Sequence, residues 1–336
     1  MAVTLAKSDP RIPVTIVTGF LGSGKTTLLS SLLRRANRER IAAIINEFGE
    51  VSLDEAFIDA AGGKIVTLVG GCLCCAIAGD IVSTLVGLYE ARSEQPFDRV
   101  VIETSGLADP GPIALDLLDA PELSGLFRLD GIVCMVDALE GLRALERQRV
   151  SAKQIALADR LVLTKTDIAS PHAVPRLRDR LSAINPSAPL VAPNNGDVDI
   201  IWLLDPVTSP ISWVGLGSSG HDRHDHDHNH GIRSFCLWLK QPLHSGELRR
   251  AMTALMRAHD GKILRIKGLL SLPGETSPTA IQGIGEFLHP LEPIPHWPSA
   301  DHRSRIVFIV DRLTEAEIAP FFETSGTHSE LEKAAG

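Results

Sequence analysis

Gly19-Phe20-Leu21-Gly22-Ser23-Gly24-Lys25-Thr26-Thr27 fits the pattern GxxxxGK[ST]. Before it runs Ile12-Pro13-Val14-Thr15-Ile16-Val17-Thr18, an apolar β-type stretch, and after it Leu28, Leu29, Leu32 and Leu33 recur at helical spacing. Strand, glycine turn and helix form the context in which this pattern builds a phosphate cradle. The glycines let backbone N–H groups close around β- and γ-phosphates, and the helix N-terminus adds positive potential. Gly22, Ser23, Gly24 and Thr27 are thereby candidate cradle residues. Lys25 would neutralise phosphate charge and the Thr26 hydroxyl would ligate Mg2+.

Outward from this loop, further apolar runs at 40–46, 64–69, 98–103, 131–137 and 160–164 read as buried strands, with 189–192 as one more. Helical patterns lie between them, one over 78–92. This alternation predicts an α/β fold: a parallel sheet with helices on both faces, as in P-loop NTPases. In such sheets ligands bind beyond the carboxyl ends of the strands. The marked turns, at 19–27, 47–54, 70–75 and 104–110, all sit at those ends and therefore converge on one site.

The texture changes at Pro206, where Ser, Gly and Pro accumulate before His221-Asp222-Arg223-His224-Asp225-His226-Asp227-His228-Asn229-His230-Gly231. The reading is a P-loop domain over 1–205, a His-rich linker over 206–232, a second domain over 233–324 and a disordered tail over 325–336. Strands at 234–239, 262–270, 280–282 and 305–310, with helices at 247–258 and 314–322, make the second domain a small α+β unit of ferredoxin-like kind. The length, 336 residues, suits two cores.

A net charge of −8 argues against a general nucleic-acid or anionic-membrane surface. No run of about 20 apolar residues predicts a membrane span, and the first ten residues lack the basic-then-apolar form of a secretory signal. The expected compartment is the cytoplasm, where thiols stay reduced. Of five cysteines, three lie within four residues, which points to metal or redox chemistry instead of a disulfide framework.

Glu103 ends a buried strand and Gly106 follows it. An acid there can hold Mg2+, and a glycine beyond it can offer a backbone N–H to a γ-phosphate. Thr164-Lys165-Thr166-Asp167 fits [NT]KxD after another buried strand. The Asp167 carboxylate can accept two hydrogen bonds from guanine, and adenine cannot supply that pair. The stem of Lys165 can lie over the base.

Cys72-Leu73-Cys74-Cys75 follows Gly70-Gly71. Thiolates bind Zn2+ or Cu(I), and adjacent cysteines make a strained disulfide. Three sulfurs leave one tetrahedral position for Glu47, a water or a group from a client protein. A redox role and a turn of buried thiols remain alternatives. The linker holds five histidines in ten residues. Of these His224, His226, His228 and His230 are candidates for weak metal capture, with a solvated linker as the alternative. Cys134 and Cys236 sit within apolar runs and read as core residues.

The segments GFLGSGKTTLL, NEFGEVSLD, GGCLCC, ETSGLADPGPI and TKTD occur in that order. In this the chain resembles the CobW-type GTPase family, which includes zinc metallochaperones and proteins tied to cobalamin biosynthesis or nitrile hydratase activation. The resemblance covers roughly 11–205 strongly and the second half more loosely. It implies a GTPase whose hydrolysis is coupled to metal delivery, with GTP, Mg2+ and Zn2+ (or Co2+) bound and a metal-requiring client as partner. Nucleic acid and membrane are not expected partners, and self-association is left open. By position, Lys25, Glu103 and Asp54 would serve hydrolysis. Glu47 and Asp54 would belong to switch I, and Glu103 and Gly106 to switch II. Lys165 and Asp167 would read guanine, and Cys72, Cys74 and Cys75 would hold the metal. Thr164 stands where many GTPases carry Asn. The competing readings are a metal-sensing regulatory GTPase, cobalt insertion, and a kinase-like P-loop ATP enzyme.

Overall fold

The structure, a computed structural model, describes residues 9–35, 40–45, 64–67, 79–193, 198–204, 230–239 and 241–323. The chain divides into two compact units.

In the first unit, strands and helices alternate as β1 Ile12–Gly19, α1 Lys25–Arg35, β2 Ile41–Ile45, β3 Lys64–Thr67, α2 Gly79–Glu90, β4 Arg99–Glu103, α3 Gly111–Asp119 and β5 Phe127–Asp137. α4 Gly141–Arg147, α5 Arg149–Leu157, β6 Arg160–Thr164, α6 Ala173–Ile184, β7 Leu190–Val191 and α7 Ile200–Leu204 follow. The sheet order is β3-β2-β4-β1-β5-β6-β7, and each pairing is parallel. Every residue of β2 and β4 is buried. Parallel sheets need both faces covered, which is why these strands are unbroken apolar runs and not alternating ones. One core layer packs Leu28, Leu29 and Leu32 of α1 against Val17, Ala43, Val101 and Val133 of the sheet. β1 lies between β4 and β5. The glycine loop leaving β1 is therefore flanked by the loops leaving those two strands, the crevice position of α/β ligand sites.

β5 starts at Phe127, earlier than the apolar run from 131 predicts. Its first turn of chain carries Arg128 and Asp130, whose charges hid it from a hydrophobic pattern. They are paired inside the fold: Arg99 and Arg128 both reach Asp130.

The second unit contains β8 Ile232–Trp238, α8 Ser245–Ala258, β9 Ile263–Leu270, β10 Thr279–Ile284, β11 Phe287–Leu288, β12 Glu292–Pro293, β13 Arg305–Asp311 and α9 Glu315–Ile318. Its sheet runs β11-β10-β9-β13-β8, with β12 also on β10, and all its pairs are antiparallel. Leu248, Met252 and Leu255 of α8, at helical spacing, pack with Ile266, Ile281 and Phe308 into one core. The expected α+β domain is present. β8-α8-β9 with β13 antiparallel between its strands is the split β-α-β half of a ferredoxin-like unit. Among the described residues the other half differs: β10 folds back beside β9, and the second helix follows the last strand. No helix of the described residues is long and apolar enough to cross a membrane.

Candidate nucleotide and metal site

The glycine loop is shaped by close contacts. Gly19 has φ 138°, and a Cβ on it would sit 2.2 Å from the Met135 carbonyl oxygen. No L side chain fits there. Gly24, at φ 95°, adopts a backbone that side chains rarely take just before α1 begins. Lys25 is buried, and its Nζ donates to the carbonyls of Gly19 at 2.8 Å and Phe20 at 3.2 Å. The ammonium is thereby folded over the loop that a phosphate would enter. Ser23 is fully buried, and its Oγ has no partner among the described residues. A buried hydroxyl without a partner is costly unless a ligand supplies one.

Thr26 Oγ1 donates to Glu103 Oε1 at 2.7 Å, joining α1 to the end of β4 across 77 residues of sequence. Glu103 is 2% exposed. A hydroxyl and a carboxylate in contact, both hard oxygen donors beside a phosphate cradle, fit Mg2+. Bound there, Mg2+ would neutralise phosphate charge, held by Thr26 and Glu103.

Beyond Glu103 the chain is tied to the glycine loop. Thr104 N–H donates to Val17 O at 2.9 Å, and Thr104 Oγ1 donates to Thr18 Oγ1 at 2.9 Å. A Cβ on Gly106 would lie 2.6 Å from the Leu21 backbone nitrogen. The two phosphate-facing segments thus touch, backbone to backbone. On the other side α5 holds the same loop. Gln154 Nε2 donates to Gly106 O and Ala108 O, and Lys153 pairs with Asp109 at 2.9 Å.

The base-reading segment follows β6. Thr164 Oγ1 donates to Ser23 O at 2.9 Å. The first position of the motif therefore ties this segment to the glycine loop, which a hydroxyl does as well as an amide. Lys165 has φ 57°, and its Nζ donates to Asp137 Oδ2 at 2.7 Å. Asp137 is itself fixed by the Leu139 N–H at 2.7 Å. Asp167 is exposed, as a carboxylate must be to meet a base arriving from solvent.

Of the residues singled out from the sequence, the structure brings together Gly22, Ser23, Gly24, Lys25, Thr26, Thr27, Glu103, Gly106, Lys165 and Asp167 at the carboxyl edge of one sheet. Glu47, Asp54, Cys72, Cys74, Cys75, His224, His226 and His228 lie outside the described residues. β2 and β3 end at Ile45 and Thr67, which pair with each other, and Ile45 also pairs with Glu103. His230 precedes β8 with φ 52°. Among the described residues no three His, Cys, Asp or Glu side chains form a metal-holding group. Burial pushes the Cys134 thiol up to about 12 and the Cys236 thiol up to about 11. Both stay protonated at neutral pH, as core residues should, and neither offers a thiolate.

Gln154, Lys153 and Asp137 were not found from the sequence. Asp137 had a signal: like Glu103 it is an acid ending a buried strand. Gln154 had only a weak one, an amide on the buried face of a short helix beside Ser151 and Ile155.

A phosphate cradle, an acid joined to its threonine and a guanine-type motif at one sheet edge define a P-loop NTPase of the GTP-reading class. The description "CobW/HypB/UreG, nucleotide-binding domain" matches residues 13–192, and "Cobalamin synthesis protein cobW C-terminal domain" matches residues 232–324. Zinc chaperone YjiA of Escherichia coli is 34% identical over 313 residues, which are 93% of this chain and 98% of that protein. Zinc-regulated GTPase metalloprotein activator 1 of Schizosaccharomyces pombe is 36% identical over 200 residues, 57% of this chain and 48% of that protein. The crystal structure of Zn(II)-bound YjiA GTPase from E. coli superposes with TM-score 0.71 at 32% identity, covering 93% of this chain and 98% of the other. The chain belongs to the CobW/HypB/UreG family of P-loop GTPases.

Proposed function

We propose that this protein is a GTP-hydrolysing zinc metallochaperone. The observation that carries the reading is the joint between Thr26 and Glu103, with Gly106 packed on Leu21. It makes the glycine loop and the segment after β4 one unit, so a γ-phosphate bound by the first is felt by the second. Lys25 and the Gly22–Thr27 backbone hold the phosphates. Thr26 and Glu103 hold Mg2+, and Lys165 with Asp167 reads guanine. Asp54 and Glu47 act from the segment after β2. Cys72, Cys74 and Cys75 bind zinc, with Glu47 or a client group completing the site, and His224, His226, His228 and His230 capture metal weakly. The zinc-chaperone names of the relatives support zinc over cobalt as cargo. GTP binding orders the segments on either side of the cysteines and hydrolysis releases them, which changes metal affinity. The work is done in the cytoplasm on a metal-requiring client, with 1–205 as the GTPase domain, 206–232 as linker and 233–324 as the second domain.

The test is GTP and ATP turnover of wild type beside Asp167→Asn and Cys74→Ala, with bound zinc measured on each. The expected pattern is GTP preferred over ATP, preference lost in Asp167→Asn, and bound zinc lost in Cys74→Ala with GTP affinity retained. Equal turnover of ATP and GTP, or a full zinc complement in Cys74→Ala, contradicts the reading.

A further inference from the structure

We infer that Gln154 is a positioning residue for GTP hydrolysis: it sets the loop whose Gly106 N–H meets the γ-phosphate. The inference rests on the GTPase reading above.

Gln154 is 1% exposed. A buried amide is costly unless its hydrogen bonds are made. Both hydrogens of its Nε2 go to one loop, to Gly106 O at 3.3 Å and Ala108 O at 2.9 Å. The chemistry fixes the orientation, because the amide oxygen would repel two carbonyls. The ends of that loop are held by other groups. Thr104 ties its start to β1 through Val17 O and Thr18 Oγ1. Lys153 holds its end through Asp109, whose Oδ1 also accepts the Gly111 N–H at 2.9 Å.

The middle is different. Gly106 has no side chain to anchor it, and Leu21 occupies the space where one would go. A glycine in a loop keeps more backbone freedom than any other residue. A single turn bond, Ala108 N–H to Ser105 O at 3.1 Å, closes the loop around Gly106, and Gln154 holds the carbonyls of Gly106 and Ala108 that this turn leaves free of the backbone bond. Leu21 packs on one side of Gly106, and the Gln154 amide holds the other. A cavity of about 20 Å³ is lined by Phe20, Leu21, Ser151 and Gln154. That is room for one water, and Ser151 Oγ is buried there with no partner among the described residues.

The experiment compares wild type, Gln154→Leu, Gln154→Glu and Lys153→Met for GTP affinity, GDP affinity, kcat and melting temperature. Leu keeps the bulk and removes the donors. In Gln154→Leu, kcat falls about tenfold and GTP affinity about tenfold, while GDP affinity stays within about twofold. At pH 8 Gln154→Glu shows the same defect, because a carboxylate repels both carbonyls. Its kcat relative to wild type recovers as pH is lowered to 6, where a protonated carboxyl, its pKa raised by burial, donates one bond. Lys153→Met alters a half-exposed ion pair and gives a smaller loss in the same direction. A Gln154→Leu protein with lowered melting temperature but wild-type kcat and GTP-to-GDP preference overturns the inference. If Gln154→Leu fails to fold, a wild-type kcat and preference in Gln154→Glu at pH 8 overturns it as well. A wild type that hydrolyses no GTP removes the underlying reading instead, an outcome distinct from both.

Discussion

The two ends of the parallel sheet both bury charge, and they do so differently. At the amino end, Arg99 of β4 and Arg128 of β5 close on Asp130. Arg99 also reaches Thr15 Oγ1 and Leu204 O at 3.3 Å each. The Asp130 side chain is 1% exposed, and both its oxygens are occupied by guanidinium groups. At the carboxyl end, Lys25 is folded onto the carbonyls of its own loop and Glu103 onto Thr26. These partners are ones that a phosphate and a hydrated cation can replace. Same-sheet strands thus supply a closed ionic cluster at one end and an exchangeable one at the other. A buried ion pair is weak evidence for stability by itself, but breaking one leaves an uncompensated charge. The difference between the ends is therefore testable: the first should answer in stability, the second in ligand binding.

The largest effect is expected at the amino end. Asp130→Ala leaves two guanidinium groups without their carboxylate and should cost about 3–5 kcal/mol of stability, read from the denaturant midpoint. GTP affinity of the folded fraction should be unchanged, and a loss there would blur the distinction between the ends. Lys25→Ala should do the reverse. It removes the cation that meets the phosphates, so hydrolysis should fall by roughly 10²–10³ with a melting temperature near wild type. A smaller effect is expected at Thr164, whose hydroxyl ties the base-reading segment to Ser23 O. Thr164→Val keeps the shape, removes that bond and should weaken GTP binding by about 1 kcal/mol, roughly fivefold. Unaltered affinity would leave Thr164 without a role in the site.

The smallest effect is expected at the Arg40–Asp98 pair beside the start of β2. Hydrogen bonding to Arg40 lowers the Asp98 carboxyl to about 2. A carboxyl depressed in the folded state adds stability above its unfolded value of about 4, and loses that addition as pH falls toward 2. The side chains are 56% and 35% exposed, so solvent screening keeps the contribution small. Asp98→Asn should thus be slightly less stable than wild type at pH 7, with the gap narrowing below pH 4. A gap independent of pH would assign it to something other than the ion pair.

Much of the nucleotide site was legible because each part is contiguous in sequence. Glycine spacing before Lys25, an acid closing the run at Glu103 and Thr164–Asp167 closing another are local patterns, and a parallel sheet gathers strand ends without further instruction. What joins the parts was not legible. The bond from Thr164 to Ser23 crosses 141 residues and that from Lys165 to Asp137 crosses 28. Gln154 reaches Gly106 across 48. Such pairs are chosen by tertiary packing and leave no periodic trace. The start of β5 was missed because Arg128 and Asp130 break its apolar pattern while being neutralised in space. In the second unit the existence of β9 was readable, but its alternation of apolar and charged residues suggests one exposed face, whereas all eight residues are buried, Arg265 and Lys267 included. Which strand inserts between β8 and β9 was not readable either, since antiparallel strands carry no address for their neighbours.

The central claim is that nucleotide state at the carboxyl edge sets metal affinity. The direct measurement is a zinc titration of the wild-type protein by competition with a chromophoric chelator, once with Mg2+ and a non-hydrolysable GTP analogue and once with Mg2+ and GDP. The account predicts zinc dissociation constants that differ between the two states. The ratio should be matched by the change that zinc makes in the analogue-to-GDP affinity ratio, because coupling is reciprocal. Identical zinc affinities in the two nucleotide states would contradict it.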